Sequence, residues 1–222
     1  MKRYTLPYII CILFIFVFSS CRQDGPAPIR NIKGGPKLLR AQTNSACQTY
    51  TYSQDQKQKS LGMVFTREVL VSFKDGLTSA QQQQSLAAYD FVKQQKAKVL
   101  DNSAQLYRLE LVAGLNCSQV EEALHLLADN PDVSYASPLF MQGDQLLGLT
   151  NELTVTIEEG GENALQQLAD QYNAEVLPAL TEHIYVLRLN KNATSDALAL
   201  AEFLQGESGI VRANADFVRT KN

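Results

Sequence analysis

The chain has 222 residues, with 20 Lys and Arg against 23 Asp and Glu and a formal charge of −3. That mild acidity, without a basic stripe, argues against nucleic acid as a partner. Two histidines in the whole chain leave little material for acid–base or metal chemistry.

Lys2 and Arg3 precede an uncharged apolar run from Tyr8 to Phe18, and Phe18-Ser-Ser-Cys21 closes it. This is the layout of a secretory signal. It resembles the lipobox of bacterial lipoproteins, with Phe18 where Leu is usual. The resemblance implies cleavage after residue 20, acylation of Cys21, and a lipid-anchored place in the bacterial cell envelope, periplasmic or surface-exposed. An ordinary signal peptide or an uncleaved anchor is the alternative, although the run is short for a span of about 20 residues. Residues 21–65 read as a flexible tether. Pro26, Pro28, Gly34, Gly35 and Pro36 break structure early, and a polar stretch from Gln42 to Ser60 follows. Cys11 lies in the apolar run and Cys21 is the anchor, which leaves Cys47 and Cys117. Outside the cytoplasm these two can form a disulfide, or they remain free thiols. With no histidine near, they do not make a metal site.

A first unit is expected over residues 66–142. Val69, Val71 and Phe73 alternate with Leu70, Ser72 and Lys74, which is strand period. Asp75-Gly76 turns the chain, and Thr78 caps a helix drawn over residues 79–96, with the glutamines at 81–84 as its solvated first turns. Residues 97–100 give a short strand, and Tyr107, Leu109 and Leu111 a third. Ser118 caps a second helix with an apolar face of Val120, Ala123, Leu124 and Leu127, ended by Asn130-Pro131. Val133 and Tyr135 sit on a fourth strand.

A second unit, residues 150–222, repeats this order. Glu68-Val-Leu-Val-Ser-Phe73 recurs as Glu152-Leu-Thr-Val-Thr-Ile157, and Leu106-Tyr-Arg-Leu-Glu-Leu111 as Ile184-Tyr-Val-Leu-Arg-Leu189. Gly160-Gly161 turns, Ala164 to Tyr172 form a helix, Thr194 caps a helix over residues 195–204, and residues 210–217 end the unit. The fold class is α+β: two tandem ferredoxin-like βαββαβ domains, each an antiparallel sheet with both helices on one face. Residues 143–149 are an apolar link. Leu70, Ile184 and Val186 fall on the sheet side away from the helices, so a partner or the other domain covers them.

Val69-Leu-Val-Ser-Phe-Lys-Asp-Gly76 resembles the opening strand and turn of subtilisin-type serine protease prosegments of the fervidolysin-like branch. Ala128-Asp-Asn-Pro-Asp-Val-Ser-Tyr-Ala-Ser-Pro138 resembles their closing element. The resemblance implies a domain that docks on a protease through its open sheet face and lays the following segment in the substrate cleft. The docking face would be Leu70, Ser72, Lys74, Arg108 and Glu110, with Thr154, Thr156, Ile184, Val186 and Arg188 as its counterpart. The cleft segment would be Pro138, Leu139, Phe140, Met141 and Gln142, or the tail from Phe217 to Asn222. The sequence holds no subtilisin-type His-Gly-Thr or Gly-Thr-Ser-Met segment. The implied role is therefore to bind, inhibit or help fold a separate subtilisin-type protease.

No catalytic constellation is legible. His125 and His183 have no nucleophile elbow or Ser-x-x-Lys pair beside them, and no phosphate loop, dinucleotide turn or zinc helix occurs. No cofactor and no metal are expected. A general structural or binding lipoprotein that reuses the fold, or the relic of a protease precursor, are the alternatives to a protease-binding role.

Overall fold

Alternating β-branched, aromatic and leucine positions set long strands, and polar capping residues start the helices between them. The computed structural model describes residue 47 and residues 49–54, 57–100 and 104–221. The expected leader, Cys21 and the expected tether as far as residue 46 lie outside the described residues. The elements are β1 (Thr49–Gln54), β2 (Lys57–Phe73), α1 (Ser79–Leu86), β3 (Val92–Leu100), β4 (Gln105–Leu111), α2 (Cys117–Asp129), β5 (Val133–Gln142), β6 (Gln145–Ile157), α3 (Glu162–Tyr172), β7 (Ala174–Val176), β8 (Ile184–Leu189), α4 (Ala197–Leu204) and β9 (Ile210–Lys221).

The fold is mixed α/β, with an antiparallel, curled sheet. Its strands run β3-β4-β2-β5-β6-β8-β7, with β1 added on β2 and β9 on β6. The same connection pattern occurs twice, as β3-β4-β2-β5 and as β7-β8-β6-β9. Its registers match the sequence repeat: Val69 faces Leu109 as Leu153 faces Leu187. The expected link over residues 143–149 is instead a hairpin. Gln142 pairs with Gln145 across Gly143-Asp144, and Gly143 takes φ +66°, a left-handed value that favours glycine. The leucines that made the link look apolar, Leu146, Leu147 and Leu149, are buried strand residues. The two halves thus share one sheet.

Several local expectations change for identifiable reasons. The expected tether gives way to structure earlier: residues 49–54 and 57–65 are strand, with Leu61, Val64 and Phe65 buried. The polar surroundings hid a strand signal in Thr49-Tyr-Thr-Tyr52, whose Tyr50 and Tyr52 pack on the core. Helix α1 stops at Leu86, and Val92 onward is edge strand β3. Edge strands tolerate lysine and glutamine, so the polar Lys93-Gln-Gln-Lys96 did not look like one. Thr78 does cap α1, in a capping box with Gln81, but Gln82 is buried and donates to the Leu77 carbonyl at 3.2 Å. The other caps lie elsewhere than expected. Asn116 caps α2 in a box with Gln119, and Asp196 caps α4, accepting from the Ala199 N–H at 2.8 Å.

Three apolar clusters result. Val69, Val71, Phe73, Leu109, Val120, Leu124 and Leu127 form the first, under α1 and α2. Leu153, Val155, Leu165, Leu187, Leu200 and Leu204 form the second, under α3 and α4. Leu198 and Phe217 touch both. The third lies on the opposite side of the sheet, where Leu70, Val99, Leu106, Leu139, Leu146 and Val218 meet. Gly148 makes it possible: a Cβ there would stand 2.3 Å from Leu70 Cδ1 and 2.9 Å from Leu139 Cδ2. Where β6 changes neighbour, its pairing with β9 is irregular between Leu149 and Leu153. The Ser137 hydroxyl donates to the Leu149 carbonyl at 2.9 Å, and the Tyr135 hydroxyl lies 3.2 Å from the carbonyls of Leu149 and Thr150. Side chains thereby serve carbonyls that the ladder leaves.

Cys47 and Cys117 are joined by a disulfide that ties the start of the β1 hairpin to the first turn of α2. The Tyr50 hydroxyl donates to Glu121 Oε1 on the same helix at 2.5 Å. Closing a loop over a separation of 70 residues is worth about 4 kcal/mol by chain entropy. Cys47→Ser with Cys117→Ser should lower unfolding free energy by about 2–4 kcal/mol in urea titration; an unchanged midpoint with m-value unchanged refutes this. Burial raises the Glu121 carboxyl above its ordinary value of 4.5, against the Tyr50 hydrogen bond and the His125 charge. Its contribution is complete below that ordinary value and is lost as pH rises through the raised one. Glu121→Gln should therefore flatten the fall in urea midpoint between mildly acid and neutral pH.

Candidate partner-binding surface

The surface expected to dock is the side of the sheet away from the helices. In the first half, β2 and β4 place Glu68 opposite Glu110, Leu70 opposite Arg108 and Ser72 opposite Leu106. Leu70 is fully buried inside the third apolar cluster, and Ser72 is buried outside it. Leu70 cannot touch a partner, because the curl of the shared sheet brings β6 and β9 over it, and Ser72 reaches only the wall of a crevice. Arg108 and Glu110 are half-buried, and Lys74 is exposed at the end of β2.

What faces solvent beside that cluster is a charge network. Glu68, buried, accepts from Lys96 Nζ at 2.6 Å and from Arg108 Nε. Glu110 accepts from Lys93 Nζ at 2.8 Å and Gln94 Nε2 at 2.6 Å, with Lys96 Nζ at 3.7 Å. The Lys93 and Gln94 hydrogen bonds hold the Glu110 carboxyl down at about 2, helped by the Lys93 and Lys96 charges. Two carboxylates and three cations therefore offer a partner satisfied charges, which are costly to desolvate.

In the second half, Glu152 faces Arg188, Thr154 faces Val186 and Thr156 faces Ile184. Arg188 Nε donates to Glu152 Oε1 at 3.0 Å, and its Nη1 lies 3.8 Å from Glu175. The Thr154 hydroxyl lies 3.2 Å from Asp216 Oδ1 on β9. Thr154, Thr156, Ile184 and Arg188 are half-buried and remain reachable, whereas Val186 is buried. A buried glutamate paired with an arginine thus recurs, at Glu68 and Glu152, with the arginine on different rungs of the two halves. The repeat carried that signal, because a carboxylate opens the strand in both copies; Lys96 and the pairings themselves have no counterpart in the repeat.

The segment from Pro138 to Gln142 is not free to enter a cleft. Met141 and Phe140 pair with Met63 and Val64 on one edge, and residues 139–142 with residues 145–148 on the other. Pro138, Leu139 and Phe140 are buried, Met141 is half-buried and only Gln142 is exposed. Pairing that the apolar link concealed has used both edges. The alternative tail is also paired, from Phe217 with Leu149 to Lys221 with Gln145; Asn222 lies outside the described residues. His125 is half-buried on α2 and His183 exposed before β8. Among the described residues no group of three His, Cys, Asp or Glu could hold a metal ion, and no helix is long and apolar enough to cross a membrane.

The first half is prosegment-like. Residues 51–138 match the family model described as Fervidolysin N-terminal prodomain, a stretch that starts inside β1 and ends in β5. Among solved structures, the small subunit of acetolactate synthase from Thermotoga maritima is similar at 12% identity, over 70% of this chain and 94% of that one, with a TM-score of 0.26. Comparison with curated proteins gave no match.

Removing the buried acid tests the network. Glu68→Ala leaves Lys96 and Arg108 facing each other without their shared anion, and should cost about 2 kcal/mol in urea unfolding, less than a fully enclosed pair because both cations reach water. Glu110→Ala should cost clearly less. Equal losses at the two positions would remove Glu68 as the anchor of the network.

Proposed function

We propose that the chain is a non-catalytic lipoprotein of the bacterial cell envelope, anchored at Cys21, that binds a subtilisin-type serine protease in trans. The observation that carries this reading is the match of residues 51–138 to a protease prodomain. The repeated strand order supports treating the halves as two ferredoxin-like units, the second a diverged copy of the first. The disulfide supports an oxidising compartment.

Of the roles open to a prosegment, docking or folding assistance fits better than occupation of the cleft. An inhibitory segment must be extended and free to pair with the protease, and residues 138–142 are already held in the sheet, Phe140 and Met141 on both edges. The reachable docking residues are Thr154, Thr156, Ile184 and Arg188, with Arg108, Glu110 and Lys74. The same double pairing favours a second reading, a binding lipoprotein that reuses the fold for an unrelated envelope partner.

The test is a titration of the purified chain against subtilisin-type proteases of the same envelope, read by direct binding, by activity and by refolding yield. The expected outcome is micromolar binding that raises refolding yield with little inhibition of mature enzyme, weakened about tenfold by Ile184→Asp. Absence of binding and of any refolding effect at micromolar protein removes the protease reading and leaves the second.

A further inference from the structure

A polar crevice of about 260 Å³ opens where the end of β2 meets the end of β8. Ser72, Lys74, Ser134, Asn151, Arg188 and Lys191 are among its lining residues. It exists because the two halves are stitched together beside it: the Lys191 N–H donates to the Ser134 carbonyl at 2.8 Å, and Lys191 Nζ to the Asn130 carbonyl at 2.8 Å. Both bonds cross from the second half to the first.

The charges around it are unequally committed. Arg188 is held by Glu152 and Glu175. Lys74 and Lys191 have no carboxylate within ion-pairing distance among the described residues. Burial, and then the Lys74 charge, push the Lys191 ammonium below its ordinary value, while Asp129 and Asp132 act the other way. Lys74, Arg188 and Lys191 outnumber Asp75 and Glu175 on its wall, and the two ammonium groups without an ion pair favour an anion between them. Asn151 adds a different demand. It is 4% exposed, its Nδ2 donates to the Leu189 carbonyl at 3.0 Å, and its Oδ1 meets no hydrogen-bond donor among the described residues. A buried acceptor left alone costs about 1–3 kcal/mol, so a donor at this wall is favoured.

We propose that this crevice binds an α-carboxylate whose α-carbon also carries an N–H donor, the chemistry shared by peptide C-termini and free amino acids. The carboxylate lies between Lys74 and Lys191, and the N–H turns toward Asn151. The volume suits one terminal residue. Every peptide-bond cleavage creates such a terminus, so the site would let a protease-associated protein register cleavage products. It does not depend on the protease reading, since it rests only on the crevice.

The experiment is a titration of the full chain, followed by amide resonances of Lys74, Asn151 and Lys191, with N-acetyl-alanyl-alanine, the same dipeptide as its C-terminal amide, and free alanine. Saturable binding of the free acid with about tenfold weaker binding of the amide is expected. Lys74→Met, at an exposed position that leaves the fold intact, should weaken the acid about tenfold and the amide little. If free alanine binds as well as the dipeptide acid, the source is an amino acid; if only the dipeptide acid binds, it is a peptide C-terminus. Equal binding of acid and amide, or no saturable binding of any probe at about 10 mM, overturns the proposal.

Discussion

Strand β5 is hydrogen-bonded along both edges, to β2 over most of its length and to β6 beyond Pro138. That double pairing makes one sheet of two repeated halves, and the rest of the non-helical face follows from it. Strands twist in one hand, so a sheet this long curls. β2 takes up the bend between Val64 and Val69, and β6 between Leu149 and Leu153, where both show register shifts. The curl carries Leu146 and Val218 over Leu70 and Leu106, and a third apolar cluster fills the space. Gly148 is the residue that lets the layers close, since any side chain there would enter the volume of Leu70.

The fused sheet changes what a prosegment-like half can do. An open four-stranded sheet presents a flat surface to a partner, whereas the first half here has filled its own with Leu70, Val99, Leu106 and Leu139. Its solvent-facing margin is left to Lys93, Lys96 and the half-buried Glu110, whose charges are already satisfied by one another and by the buried Glu68. The second half keeps the more open surface, with Thr154, Thr156 and Ile184 half-buried around the buried Val186. The half with the stronger prodomain likeness and the half with the more accessible sheet are therefore not the same half.

Much of the architecture was legible because the repeat made each strand visible twice. Val69, Val71 and Phe73 face the helices as their alternation indicates, and so do Leu153, Val155 and Ile157. The reassigned link, the covered face and β3 share one physical cause: periodicity within a segment does not show which distant strands pair with it or cover it. Leu146, Leu147 and Leu149 looked like packing surface on a link because no local signal distinguishes that from a strand buried on both faces. Leu70 lies on the non-helical face that its alternation indicates, yet whether that face meets solvent depends on strands distant in sequence. Polar β3 failed in the opposite sense, since Lys93, Lys96 and Gln94 serve Glu68 and Glu110 across the sheet.

The halves differ at Asn130-Pro131, which has no equivalent in the second, and there the backbone shows what the dipeptide does. In the first half the Val133 N–H returns to the Asn130 carbonyl at 3.2 Å, and the Lys74 N–H to the Asp132 carbonyl at 2.9 Å. In the second, the Ile210 N–H returns to the Glu207 carbonyl at 3.2 Å, and the Glu158 N–H to the Gly209 carbonyl at 2.9 Å. The same turn is made by different means. Pro131 restricts φ and Asn130 Oδ1 accepts from the Asp132 N–H at 2.8 Å, whereas Gly209 adopts φ +83°. Asn130 then has work that Glu207 lacks. Its side chain joins Ser85 and Tyr89 of the α1 region, and its carbonyl takes Lys191 from the other half. Asn130 is buried at that joint, so its several hydrogen bonds are made away from water, where losing a partner is expensive. The turn itself can be made by either set of residues; the hydrogen bonds to Ser85, Tyr89 and Lys191 at the joint between halves are made by Asn130.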